Sequence, residues 1–170
     1  MKKLSRILAS FVLLMAAGMA PAWNAETTAR PPLTVDVPVV LKEVKVVFNM
    51  SRPAFLGDSS VGLNHMQLML QNFKSQNTKY RMIAVFYGPM GYMLLNDEAY
   101  DKSRNSHNGN PYKDVIAELQ KDGVEFEECA VTAKGNGWTN SDLLPGVKVN
   151  TGGNLRIVEL VQEGFVQLQP

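Results

Sequence analysis

Cys129 closes the run VEFEEC and is the only cysteine in 170 residues. A thiol does chemistry as its thiolate, attacking electrophilic sulfur or binding soft metals, and an ordinary thiol with a pKa of about 8.5 is only slightly ionised at neutral pH. The neighbours pull in opposite directions. Glu127 and Glu128 raise the pKa if their carboxylates turn toward the sulfur, and strand alternation puts Glu127 on the sulfur's face. Lys134, or the amino end of a helical turn after the strand, lowers it. One cysteine closes no intramolecular bridge, so the thiol is buried and inert, paired between chains, or reactive.

Thr151, Gly152 and Gly153 precede a helical pattern, where free backbone amides can face an anion such as sulfite, thiosulfate or phosphate; the same residues also read as a plain capping turn. Tyr87 and Gly88, at the end of an apolar run, are further ligand-binding candidates, and His65 and Arg52 could line the same pocket. Met66 and Met69, and likewise Met90 and Met93, are spaced three apart and with His65, His107 and Cys129 suggest Cu(I), but the first pair coincides with the apolar stripe of a helix and His107 sits in a polar stretch. No metal-ligand cluster with characteristic spacing is present, and neither GxSxG nor HExxH occurs. The expectation is no metal and no cofactor.

These residues need a scaffold. KEVKVVFNM (42–50) and YRMIAVFYG (80–88) are near-continuous apolar strands, VEFEEC (124–129) is a third, and VKVN and FVQLQ supply a fourth and fifth. Leu63, Met66, Met69, Leu70 and Phe73 form one helical face after Ser59 or Ser60. Tyr112, Val115, Ile116 and Leu119 form another, with Asn110 as its cap, Pro111 in its first position and Gly123 as its stop. Ile157, Leu160 and Val161 form a third, ended by Gly164. Residues 96–110 hold few apolar side chains and read as a mobile surface loop, and Gly135, Gly137 and Trp138 read as another loop.

Apolar strands separated by amphipathic helices predict an α/β fold, a single three-layer domain whose mostly parallel sheet of about five strands is flanked by helices. In such sheets, ligands gather beyond the carboxyl ends of the strands, where Cys129 lies.

The amino terminus has a different character. Lys2, Lys3 and Arg6 precede an apolar run from Ile7 to Ala17, with small residues at Ala20 and Ala22, which is the layout of a cleavable signal peptide spanning 1–22. Residues 23–41 read as an extended tail and 42–170 as the domain. Cleavage leaves 14 basic against 16 acidic residues, a formal net charge of −2, which gives no electrostatic basis for holding nucleic acid or acidic lipid. The expected product is periplasmic, with no membrane attachment after cleavage.

The segments AELQKDGVEF, LLPGVKV and GGNLRIVELVQEGF, the strand ending in Cys129, the VVF of the first strand, the Gly88-Pro89 turn and Pro170 together resemble the DsrE/DsrF-like (YchN-like) family of sulfur-relay proteins, from about Lys42 to Pro170. The resemblance implies a compact α/β fold assembling into homotrimers or homohexamers, and a cysteine at the position of Cys129 that accepts sulfur as a persulfide and passes it on. It also implies a sulfur donor or acceptor protein as partner. The alternative is a non-catalytic oligomeric module of the same fold that binds a small ligand or serves assembly.

Overall fold

The computed structural model describes residues 32–170; the expected signal segment, 1–22, and tail residues 23–31 lie outside the described residues. Residues 32–37, in a separate unit from Pro38–Pro170, are exposed and form neither helix nor strand.

Within Pro38–Pro170, strands β1 (Glu43–Met50), β4 (Lys79–Phe86), β5 (Val124–Cys129), β6 (Lys148–Asn150) and β7 (Val166–Leu168) make one sheet in the order β6-β5-β4-β1-β7. Every pairing is parallel. The central strands are apolar on both faces because both faces are covered, which is why the last five residues of β1 and of β4 are all buried. A short hairpin, β2 (Phe55–Leu56) with β3 (Ser59–Ser60), stands apart and leads into the first helix.

The two faces bury different helices. On one, α1 (Val61–Gln76) and α3 (Lys113–Lys121) press Leu63, Met66, Leu70, Phe73, Ile116 and Leu119 onto Phe48, Met82, Ala84, Phe86 and Phe126. On the other, α5 (Gly153–Gln162) lays Ile157 and Leu160, together with Phe165, on Val47, Ile83 and Val85. Each buried aliphatic or aromatic side chain contributes roughly 1.5–3 kcal/mol against its exposed state. Met66, Met90 and Met93 pack within the first of these cores.

Two segments expected as loops are helical. Residues 97–104 form α2, started by Asn96, whose side chain accepts from the Ala99 amide, and ended by Asn105 in the left-handed conformation at φ 52°. Asp97 and Glu98 in its first turn and Lys102 and Arg104 in its last complement the helix dipole. Capping and charge, not an apolar stripe, specify this helix, so apolar periodicity is blind to it. Residues 130–136 form α4, which begins directly after Cys129 and ends at Gly137 with φ 73°.

Asn110 is a brace more than a cap. Its side-chain nitrogen Nδ2 donates to the carbonyls of Met93 (2.9 Å) and Leu95 (2.6 Å), and its side-chain oxygen accepts from the Tyr112 backbone amide at 2.8 Å. α3 itself starts three residues later, at Lys113. Asn110 thereby ties the 3₁₀ segment Gly88–Leu94, which follows β4, to the start of α3. Among the described residues, no helix is long and apolar enough to cross a membrane.

Candidate functional site

The carboxyl ends of β4, β5 and β6 converge under the amino end of α5. Register places Cys129 opposite Asn150, and the strand alternation that brings Cys129 to the α5 face brings Glu127 there too. Cys129 is 4% exposed. Its sulfur accepts a hydrogen bond from the Gly153 amide at 3.2 Å.

Burial pushes the Cys129 thiol up, but the amides of Thr132, Gly153 and Val131 and the Thr132 hydroxyl favour the thiolate, and the net displacement is downward from the ordinary value. The amino end of α4 therefore acts as expected of a helical turn after the strand. Lys134, the other expected source of this effect, is exposed in the last turn of α4.

Gly153 has to be glycine for close approach. A Cβ there would stand 2.5 Å from the Tyr87 ring, so the missing side chain lets α5 descend until its first amide meets the sulfur. Gly88, at φ +60°, turns the chain out of β4, and its amide donates to the Thr132 hydroxyl at 2.8 Å. Thus Tyr87, Gly88 and Gly153, singled out as ligand-binding candidates, gather around Cys129. Gly152 sits beside them and lines a cleft of about 320 Å³ with Glu127, Lys148, Asn150, Arg156 and Glu159.

The charges in that cleft are already matched. Arg156 grips Glu127 through Nε and one terminal nitrogen at 2.9–3.1 Å, and its other terminal nitrogen meets Glu159 at 2.6 Å. Hydrogen bonds to the two carboxylates, Glu127 first, raise the Arg156 pKa. Asn150 donates to Glu127 at 3.2 Å, and Lys148 pairs with Glu125 at 2.6 Å. Glu127 shares the face of Cys129, but its charge is absorbed by Arg156.

Glu128 is the unexpected member. It points to the opposite face, is 0% exposed, and neither carboxyl oxygen has a hydrogen-bond partner among the described residues. Burial first, and the charge of Cys129 second, push its pKa up to about 8. Gly91 leaves it room, because a Cβ there would stand 2.5 Å from Oε1.

His65 lies away from this cluster, in a shallow apolar groove between α1 and β7 with Leu68, Met69 and Leu168. Sequence reasoning missed Thr132 and Arg156. Thr132 is three residues after Cys129, a spacing that signals a turn only once α4 is recognised. Arg156 carries no sequence signal for its distant partner, Glu127.

A model of the DsrE/DsrF-like family matches residues 42–170. Among solved structures, a protein of unknown function, MTH1491 of Methanobacterium thermoautotrophicum, is 25% identical, with 75% of this chain and 99% of that chain covered at a TM-score of 0.54. The ychN protein of E. coli is 19% identical over 75% of this chain and 99% of that chain, with a TM-score of 0.44. No curated protein matches the sequence.

Proposed function

The chain belongs to the DsrE/DsrF-like family, and on that premise we propose that it is a periplasmic sulfur carrier whose Cys129 accepts sulfur as a persulfide. Family membership points to a role related to sulfur relay. The single observation that carries the finer reading is the sulfur of Cys129 held by the Gly153 amide with its thiol displaced toward the thiolate.

In the proposed step the Cys129 thiolate attacks the outer sulfur of a donor persulfide, R–S–SH. The donor's S–S bond breaks, R–S⁻ leaves with the bonding pair and takes a proton from solvent, and Cys129 holds –S–SH. The amides around the sulfur act on negative charge, so they also suit a persulfide anion. A carrier of this kind turns over only with its donor and acceptor. Because the sulfur is shielded, docking of the donor displaces the Thr151–Gly153 turn or the Gly88 turn.

The proposed assembly is a homotrimer or homohexamer. Val131, Leu155 and Val158 on α4 and α5 are exposed aliphatic side chains, and burying them between subunits would remove an apolar surface from water. Native mass spectrometry reads the subunit number directly. Export rests on residues 1–22, and sequencing the amino terminus of periplasmic material tests it.

The test of the carrier reading is transfer of radiolabelled sulfur from a persulfide donor protein. The wild type takes up label that dithiothreitol releases, and Cys129→Ser takes up none. Full uptake by Cys129→Ser would falsify the reading. One observation, the 4% exposure of Cys129, favours a second reading as a non-catalytic ligand-binding or assembly module. A native oligomer whose thiol resists reagents and takes up no sulfur fits that second reading.

A further inference from the structure

Glu128 is a buried acid for which the sulfur chemistry above has no use. A carboxyl group with no exposed surface and no donor on either oxygen is costly, and an unpartnered buried group of this kind calls for a functional explanation. Its place in the chain is next to Cys129, the residue proposed above to accept sulfur. The two side chains leave opposite faces of β5, and the donors are divided unequally. The sulfur accepts a hydrogen bond from the Gly153 amide, and the amides of Thr132 and Val131 and the Thr132 hydroxyl also favour its thiolate, whereas the carboxyl oxygens have no hydrogen-bond partner and only the Cys129 amide favours their charged form.

We propose that Glu128 is a positioning residue for Cys129, a buried carboxylic acid that keeps its proton while the sulfur is anionic and yields it more readily when the sulfur loses its charge. One negative charge is then shared by the pair, and it sits on sulfur because the hydrogen-bond donors are there. When the thiolate becomes a neutral thioether or mixed disulfide, the repulsion on the carboxyl disappears and its proton is released to solvent at lower pH. A persulfide anion keeps the charge in place, so Glu128 stays protonated in the sulfur-loaded carrier. This inference rests on the reading of Cys129 as the sulfur-bearing residue.

The surroundings isolate the pair. The 3₁₀ segment above Glu128 contributes Gly91 and one titratable group, Tyr92, which packs in an aromatic cluster with Tyr100 and Tyr112. α4 contributes Thr132 and the exposed Lys134, and the register neighbours on β4 and β6 are Phe86 and Val149. On β5, Glu127 turns to the other face and is neutralised by Arg156. Cys129 is the ionisable group that acts on the Glu128 carboxyl through space.

The experiment follows the infrared carbonyl band of the protonated carboxyl against pH, assigned by its loss in Glu128→Gln. It is recorded for the wild type, for Cys129→Ser and for the wild type alkylated with iodoacetamide. The expected result is a Glu128 midpoint above neutrality in the wild type that falls by at least about 1 pH unit in Cys129→Ser and in alkylated protein, the scale of a coupled pair. A midpoint that is the same in all three, or a carboxyl ionised throughout, overturns the proposal. Sulfur uptake is measured on the same wild-type sample. A midpoint that responds to Cys129→Ser without any uptake leaves the coupling standing and removes the carrier, whereas uptake with an unresponsive midpoint does the reverse.

Discussion

Neighbouring residues of β5 occupy opposite electrostatic worlds. Glu127 is buried but matched by a two-pronged arginine, so removing Arg156 leaves an unpaired buried carboxylate. Arg156→Ala should cost about 3 kcal/mol in urea unfolding at pH 7, far above an exposed ion pair. Glu128 is buried and unmatched, so its effect depends on pH. Its folded pKa of about 8 exceeds the ordinary value of 4.5, so the unfolded chain loses the proton first as pH rises. The folded state is then progressively disfavoured between these values, with nothing lost below pH 4.5 and no further loss above about 8. The stability advantage of Glu128→Gln over the wild type should therefore grow by about 3 kcal/mol between pH 4.5 and 7. A gap that is flat across that range would show that Glu128 is not a buried neutral acid.

At the level of elements, the site exists because α5 and α4 both present their amino ends to one sulfur. Gly153→Ala places a methyl group against the Tyr87 ring, which lifts the start of α5 and withdraws its amide from Cys129. The expected outcome is a thiol pKa displaced upward, read by thiolate absorbance, with a stability loss of about 1–3 kcal/mol from overpacking. An unchanged thiol titration would show that the α5 amide does not matter to the sulfur. How much of this the sequence disclosed follows from the kind of signal each element carries. β1, β4, β5, α1 and α5 were legible because a buried strand or an amphipathic helix has to show its apolar pattern. α2 was not, because its caps and charges specify it, and α4 was not, because seven residues rich in small side chains leave no stripe. Cys129, Tyr87, Gly88, Gly152 and Gly153 could be named from strand ends and a glycine pair. The roles of Thr132, Arg156 and Glu128 depend on which face of β5 each approaches, which only the packed sheet decides.

For the whole molecule, the parallel sheet determines where motion is cheap. β4 lies at the centre between β1 and β5, while β6 and β7 are three-residue edge strands. Amide exchange should therefore be slowest in β1, β4 and β5 and fastest in β6, β7 and the Thr151–Gly153 turn. The sulfur lies at the boundary between these regimes, with its strand in the rigid centre and part of its cover at the softer edge. Uniform protection across all five strands would contradict this division. The most direct test of the central claim is intact mass spectrometry, without reductant, of native protein before and after exposure to polysulfide. Sulfur-atom mass increments that dithiothreitol removes and Cys129→Ser abolishes are predicted, and a folded protein whose thiol stays unmodified throughout would contradict a carrier role.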